Sequence, residues 1–388
     1  MKPALAVIIA AGGTGGHLYP GLAIAQGLRE KFPAARILFI GTNRIEARKV
    51  PQAGFAFKAI TVHGLAGGGW RAMPRKLRSL VELALGLPVC QSLALLRRFR
   101  PDVVVGTGGY VSGPVILAAR IWRTPSLVVE GDRRPGLSSR ALAFLADAAA
   151  VASEECARAF RARQGRRAWV EVVGDPIRPA ILAARREEAI PALGLEEGRR
   201  TLLALGGSLG SLALNAALTG SLRRLAGEGW LRREVQVLHL TGRDPAPAAF
   251  VEEARELGLR YQAREYLDEM HLAYAAADLV LSRAGAATVA ELTGRGLPAL
   301  LVPWSGASHG EQAENASALV SAGAARVIGD RELSAERLAA ELRRLLTDPA
   351  ELARMAQRSK ALGHPAATER VIEMILALAA RAGAPGAR

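Results

Sequence analysis

The sequence predicts an α/β chain of two Rossmann-like parallel-sheet domains facing each other across a cleft, and three observations carry that prediction. Short apolar runs alternate with helical patterns along the 388 residues, the order that βαβ units of a parallel sheet require. The opening "VIIAAGGTGGHLYPGLAIA" has a counterpart in "LLALGGSLGSLALNAAL", each an apolar strand, a Gly-Gly-Thr/Ser turn and a helix, so the architecture starts twice. Between the two starts lies "GDPIRP", residues 174 to 179, whose prolines break the pattern.

In chain order the expected strands of the first half are Leu5 to Ile9, Arg36 to Ile40, Val103 to Val105, Ser126 to Val129, Ala148 to Ala152 and Val170 to Val173. Thr201 to Leu205 is the first strand of the second half. The length exceeds what one core usually holds. The expected division is therefore a first domain over 1–165, a hinge over 166–178, a second domain over 179–365, and a closing helix and tail over 366–388 that packs back on the first domain.

Half of the residues are hydrophobic and 5% are aromatic, which suits a globular α/β enzyme and excludes a disordered or fibrous chain. Cys90 and Cys156 show no paired spacing, so no disulfide framework is expected. The apolar start runs into a glycine turn and a helix, as a buried strand does and a secretory leader does not. The closest approach to a membrane span, Leu77 to Leu96, is interrupted by Arg78, Glu82, Pro88 and Gln91. The net charge of +15 needs a partner or an explanation. With no zinc spacing and no RNP-type aromatic motif, nucleic acid is not expected. Solvated helix faces take part of the charge, and an anionic membrane surface or polyanionic substrate takes the rest.

Three glycine turns, "GGTGG" (12 to 16), "GTGGY" (106 to 110) and "GGSLG" (206 to 210), stand between a strand and a helix. Such turns offer backbone N–H groups and the positive end of a helix dipole to phosphate. The usual nucleotide fingerprints fail: Leu18 occupies the last glycine position of G-x-G-x-x-G, and no G-x-x-x-x-G-K-[ST] occurs. No Asp-x-Asp pair or metal-ligand spacing is present, so amides and arginine must carry a diphosphate's charge, and neither metal nor other cofactor is expected. Arg178 either grips phosphate bidentately or is a hinge arginine paired with a carboxylate. Glu291, in "SRAGAATVAEL", either accepts both hydroxyls of a ribose or is a solvated helix residue.

Taken together, "GGTGGHLYPGLAIA", "GTNRIEARKVPQAGF", "VVGTGGYVSGP", "GDPIR", "LLALGGSLGSLALN", "YLDEMHLAYAAADLVLSRAGAATVAEL" and "GLPALLVPW" resemble the MurG family in order over nearly the whole chain. These are GT-B glycosyltransferases that move N-acetylglucosamine from UDP-N-acetylglucosamine to undecaprenyl-pyrophosphoryl-muramyl-pentapeptide at the cytoplasmic face of the cell membrane. The resemblance implies that Thr14, Gly15 and Gly16 line the acceptor side and that Arg178 and Ser208 contact the diphosphate. It implies that Leu267 and its neighbours meet the uracil, that Ala286, Ala287, Thr288, Val289, Ala290 and Glu291 hold phosphate and ribose, and that Gln312 reaches the sugar. Where the family has His-Glu-Gln-Asn, this chain has Val129, Glu130, Gly131 and Asp132. The asparagine that would touch the acetamido sugar is thus Asp132, which when ionised only accepts hydrogen bonds. Glu311 stands where the family often has Gln or His.

The implied reaction is an inverting displacement by the 4-hydroxyl of the muramyl sugar. It needs a base near neutral pKa, and His17, beside the first glycine turn, is the first choice, with Glu130 or Asp132 in its place if the imidazole only braces the loop. Ser208, the amides around Gly207 and Gly210, and Arg178 would meet the charge on the departing diphosphate. The segment 64 to 87 mixes Trp70, Met73, Leu77 and Leu80 with Arg71, Arg75, Lys76 and Arg78. It suits either anionic inner-leaflet lipids or the protein's own core. Alternatives are a related enzyme for another lipid acceptor, a UDP-sugar epimerase, and a non-catalytic UDP-sugar binder.

Overall fold

The computed structural model describes residues 4–62, 86–164, 169–207, 210–307 and 310–382. They form two compact units, 1–178 together with 366–388, and 179–365.

The first unit is built on seven strands: β1 (Ala6–Ala10), β2 (Arg36–Gly41), β3 (Ala56–Ala59), β4 (Val103–Gly106), β5 (Ser126–Glu130), β6 (Ala148–Val151) and β7 (Trp169–Val172). They pair in the order β3-β2-β1-β4-β5-β6-β7, every neighbour parallel. Side chains alternate between the two faces, so each apolar run feeds two cores. Val7, Ile9, Val103 and Val105 join Leu22, Ile24 and Leu28 in one layer. Ile8, Ala10, Val104 and Val128 join Val111, Val115 and Ile116 in the other. β1 begins one residue later than the sequence suggests, because Leu5 contributes only its carbonyl, accepting from Arg36 N at the sheet's margin. β3 is an edge strand with no apolar run to announce it.

Helix Ala367–Ala382 completes this unit after the chain has built the second one. Val371, Ile372, Met374, Ile375 and Leu378 are buried in the same layer as Ile24 and Leu28. Gly27 makes room for it, since a Cβ there would meet Ile372 Cδ1 at 2.8 Å. Thr368 Oγ1 accepts from Ile177 N at 3.0 Å and donates to Ile177 O at 2.8 Å, pinning the returning chain.

The second unit contains β8 (Arg200–Leu205), β9 (Val235–Leu240), β10 (Arg260–Arg264), β11 (Leu279–Ser282), β12 (Ala299–Leu301) and β13 (Ala325–Val327). Their order is β10-β9-β8-β11-β12-β13, again all parallel. Leu202, Ala204, Leu218, Val237, Phe250, Leu281, Leu300 and Leu342 share its core.

In both sheets the strand order reverses once, between β1 and β4 and between β8 and β11. In open parallel sheets such a reversal leaves a crevice at the carboxyl ends of the strands, where ligands bind. The glycine turns after β1 and β4 flank the first crevice. The segments that follow β8 at Gly206 and β11 at Arg283 flank the second.

Candidate active site

At the first crevice two helices start alike. Gly15–Lys31 follows Thr14 and Gly109–Trp122 follows Gly108; neither start has a side-chain cap or an acidic residue in its first turn. Uncapped amides and an unopposed dipole are what an anionic or hydroxyl-rich ligand needs. Each helix also carries a proline at its sixth position, Pro20 and Pro114, which removes the bond that would close on Gly16 and Tyr110 carbonyls.

His17 sits where these starts meet. Its Nδ1 lies 3.2 Å from Thr14 Oγ1, and its carbonyl accepts from Thr107 Oγ1 at 2.7 Å. The second turn closes over its ring: a Cβ on Gly108 would stand 2.6 Å from His17 Cδ2, and one on Gly109 would stand 2.5 Å from Gly12 O. Both glycines have positive φ, +94° and +72°, so backbone geometry and space ask for glycine together. Gly13, at φ +100°, packs beneath Tyr110 in the same way. Burial pushes the imidazole's pKa below its ordinary 6.5, while the Asp132 carboxylate and the Gly12 carbonyl pull the other way. Asp132 follows β5, and its N–H donates to Glu130 Oε1 at 3.0 Å. Glu130 itself is buried at the strand's end. Arg178 stacks its guanidinium 4.5 Å from the centre of the Tyr19 ring, on the helix that carries His17. Thr14, His17, Glu130, Asp132 and Arg178 all belong to this first unit, with Gly15 and Gly16 at the helix start.

At the second crevice helix Ala286–Arg295 starts without a side-chain cap or an early acidic residue, so Ala286, Ala287 and Thr288 form an open first turn. Val289 and Ala290 follow on that helix, and Glu291 is buried beside them, which removes its reading as a solvated residue. Gln312 Oε1 accepts from Ala284 N at 3.2 Å and Trp304 N at 2.9 Å, so it ties the turn after β11 to the turn after β12. Leu267 is buried just after β10. Ser208 lies outside the described residues. Of the residues beside it, Gly210 N–H donates to Gly207 O at 3.0 Å, and Ser211 Oγ accepts from Leu214 N. The sequence expectation offered the amides around Gly207 and Gly210 to a diphosphate; the Gly210 amide is instead taken by the Gly207 carbonyl.

Two features had no assignment from sequence. Arg283 is buried and donates to Val302 O at 3.0 Å, Asp330 Oδ1 at 2.5 Å and Ser211 Oγ at 2.9 Å. It thereby braces the two glycine-flanked turns of the second crevice. Burial would lift the Asp330 pKa, but hydrogen bonds from Arg283 and Ser305 outweigh it and hold the carboxyl below its usual range. The only signal was an arginine next to a run of small residues. The closure of "GTGGY" over His17 was the other, and its signal was the repeated strand-glycine-helix grammar.

Residues 7–151 match the glycosyltransferase family 28 N-terminal domain, and residues 201–371 match the glycosyltransferase family 28 C-terminal domain. With two parallel-sheet units and glycine turns at both crevices, this makes the chain a GT-B glycosyltransferase. It is 42% identical to the UDP-N-acetylglucosamine--N-acetylmuramyl-(pentapeptide) pyrophosphoryl-undecaprenol N-acetylglucosamine transferase of Desulforudis audaxviator, covering 97% of this chain and 99% of that one. The protein of the same name from Thermodesulfovibrio yellowstonii is 38% identical, again over 97% and 99%. The crystal structure of Acinetobacter baumannii MurG superposes with a TM-score of 0.69 at 26% identity, covering 97% of this chain and all of that one. The chain belongs to the MurG family.

Proposed function

We propose that this protein transfers N-acetylglucosamine from UDP-N-acetylglucosamine to the 4-hydroxyl of undecaprenyl-pyrophosphoryl-muramyl-pentapeptide, the step from lipid I to lipid II in peptidoglycan synthesis, with inversion at the anomeric carbon. The observation that carries the reading is near-complete alignment with transferases of that name. The two crevices supply its chemistry.

In this mechanism the first unit holds the acceptor and the second the donor. Thr14, Gly15 and Gly16 face the acceptor, and His17 takes the proton of the attacking hydroxyl. An imidazole kept neutral by burial is ready to accept that proton, and Asp132 stabilises the imidazolium that forms. Glu130 positions Asp132 through its N–H. The first turn of helix Ala286–Arg295 receives phosphate, Glu291 the ribose, Leu267 and its neighbours the uracil, and Gln312 the sugar. Arg178 and Ser208 meet the leaving diphosphate's charge.

The protein works at the membrane where its acceptor resides, on the cytoplasmic face and against anionic lipids. No helix among the described residues is long and apolar enough to cross a bilayer. A surface hollow formed by Leu93, Arg97, Arg98, Arg100, Ile121 and Trp122 supports the peripheral reading. Ile121 and Trp122 are 55% and 47% exposed among those arginines, an apolar tip ringed by cations. The segment 64 to 87 singled out from sequence lies outside the described residues except for Gly86 and Leu87. Replacing Trp122 by serine is expected to lower co-sedimentation with phosphatidylglycerol vesicles several-fold and to leave UDP binding unchanged.

The deciding experiment is transfer of labelled N-acetylglucosamine from its UDP donor to lipid-linked muramyl-pentapeptide in detergent with EDTA. Product formation supports the acceptor class and metal independence together. UDP binding without transfer to this acceptor overturns the reading in favour of another lipid acceptor or a non-catalytic binder.

A further inference from the structure

The second unit contains a buried polar chain that the reaction described above does not use. Tyr261 O–H, from β10, lies 2.7 Å from His239 Nδ1, and His239 Nε2 lies 2.9 Å from Asn215 Oδ1. Asn215 Nδ2 then donates to Thr241 O at 2.8 Å and to Asp244 Oδ2 at 3.0 Å. The direction of the chain is fixed by its last member. Two acceptors face the amide nitrogen, so Oδ1 must face His239 and accept from Nε2–H, which leaves Nδ1 to accept from Tyr261. Every hydrogen bond is made by a neutral imidazole, and burial pushes the His239 pKa down to about 4, so it stays neutral.

The chain ends on Thr241 and Asp244, and Thr241 with its neighbour Gly242 touches the turn that flanks the donor crevice after β8 on one side and the end of β10 on the other. On one side Gly210 pairs with Gly242 as an isolated bridge, and a Cβ on Gly210 would come 2.5 Å from Thr241 O. On the other side Thr241 N donates to Arg264 O at 2.9 Å and Gly242 N to Glu265 O at 3.0 Å, two residues before Leu267. Thr241–Gly242 is a spacer between the glycine turn assigned to diphosphate and the strand end assigned to uracil. We infer that His239 and Asn215 are positioning residues that set this spacer and so fix the separation of the nucleotide subsites.

The inference rests on the donor reading given above, and the test separates the two. UDP affinity is measured by calorimetry, and KM and kcat by transfer, for the wild type and for His239→Ala, His239→Gln and Tyr261→Phe. His239→Ala is expected to raise the UDP Kd and the donor KM about tenfold or more, with acceptor KM unchanged. His239→Gln restores an N–H near the Nε2 position and is expected to recover most of that loss. Tyr261→Phe leaves the Asn215 bond intact and is expected to keep UDP Kd within about twofold, although it lowers stability. Should His239→Ala not fold, the contrast between His239→Gln and Asn215→Ser carries the same expectation, tenfold weakening only in the latter. Unchanged UDP affinity in folded His239→Ala or Asn215→Ser overturns the inference, as does an equal loss in Tyr261→Phe. A wild type that binds UDP without transferring sugar overturns the acceptor reading and leaves this test of the spacer intact.

Discussion

His17 is held by opposed influences: burial favours the neutral ring, and Asp132 with the Gly12 carbonyl favours the charged one. A base of this kind needs the first to dominate before reaction and the second to matter as the proton arrives. His17→Ala is expected to lower kcat by about 10²-fold or more while UDP affinity stays at the wild-type value, read by transfer and calorimetry. Asp132→Asn removes an influence that raises the His17 pKa, so that pKa falls further. The acid limb of the kcat/KM profile then moves to lower pH, and the maximal rate falls because the imidazolium loses its neighbour. A limb that moves to higher pH would contradict the assignment of the limb to His17. At His239 the sign concerns stability. Its folded pKa of about 4 lies below the ordinary 6.5, so the unfolded state binds the extra proton between those values. Its contribution is complete above pH 6.5 and is lost as pH falls toward 4. The acid loss of stability over that window, on the order of 3 kcal/mol, is expected to shrink in His239→Gln, as followed by denaturant titration at several pH values.

Among the elements, the paired helix starts of the first crevice behave as one device, because the second turn is packed on the histidine of the first. Gly108→Ala combines a positive φ with a Cβ 2.6 Å from the His17 ring. It is expected to cost about 1–3 kcal/mol of stability and to reduce kcat more than UDP affinity, both measurable on the purified variant. How much of this was legible follows the range of the interactions. The glycine turns, the apolar strands and His17 are local patterns, readable because backbone conformation and residue type are tied within a few positions. The closure of Gly108 and Gly109 over His17 joins residues about ninety apart, and it is readable only once β4 is known to lie next to β1. Arg283 with Asp330 and the chain from Tyr261 to Asp244 are likewise products of strand order. Gly210's own turn could not be read either, since whether a glycine amide points outward or closes on a neighbour depends on φ values that sequence leaves open.

For the molecule as a whole, the excess of cations and the repeated strand-turn-helix plan were visible in the sequence, whereas the exposed Ile121 and Trp122 among arginines emerged only when two helix ends came together. The return of helix Ala367–Ala382 to the first unit has the widest reach. Ile375→Ala there is expected to destabilise by about 2–5 kcal/mol, and the loss should appear in hydrogen exchange of β1 and β4 before that of β8 and β11. The same return bears on biosynthesis. The ribosome makes residues 4–178 before residues 179–365, yet the first unit lacks Val371, Ile372, Met374, Ile375 and Leu378 until the helix that carries them has left the exit tunnel. The unit begun first is completed only after the second, and for the time needed to make residues 179 to 365 its Ile24 and Leu28 face stands open to chaperones.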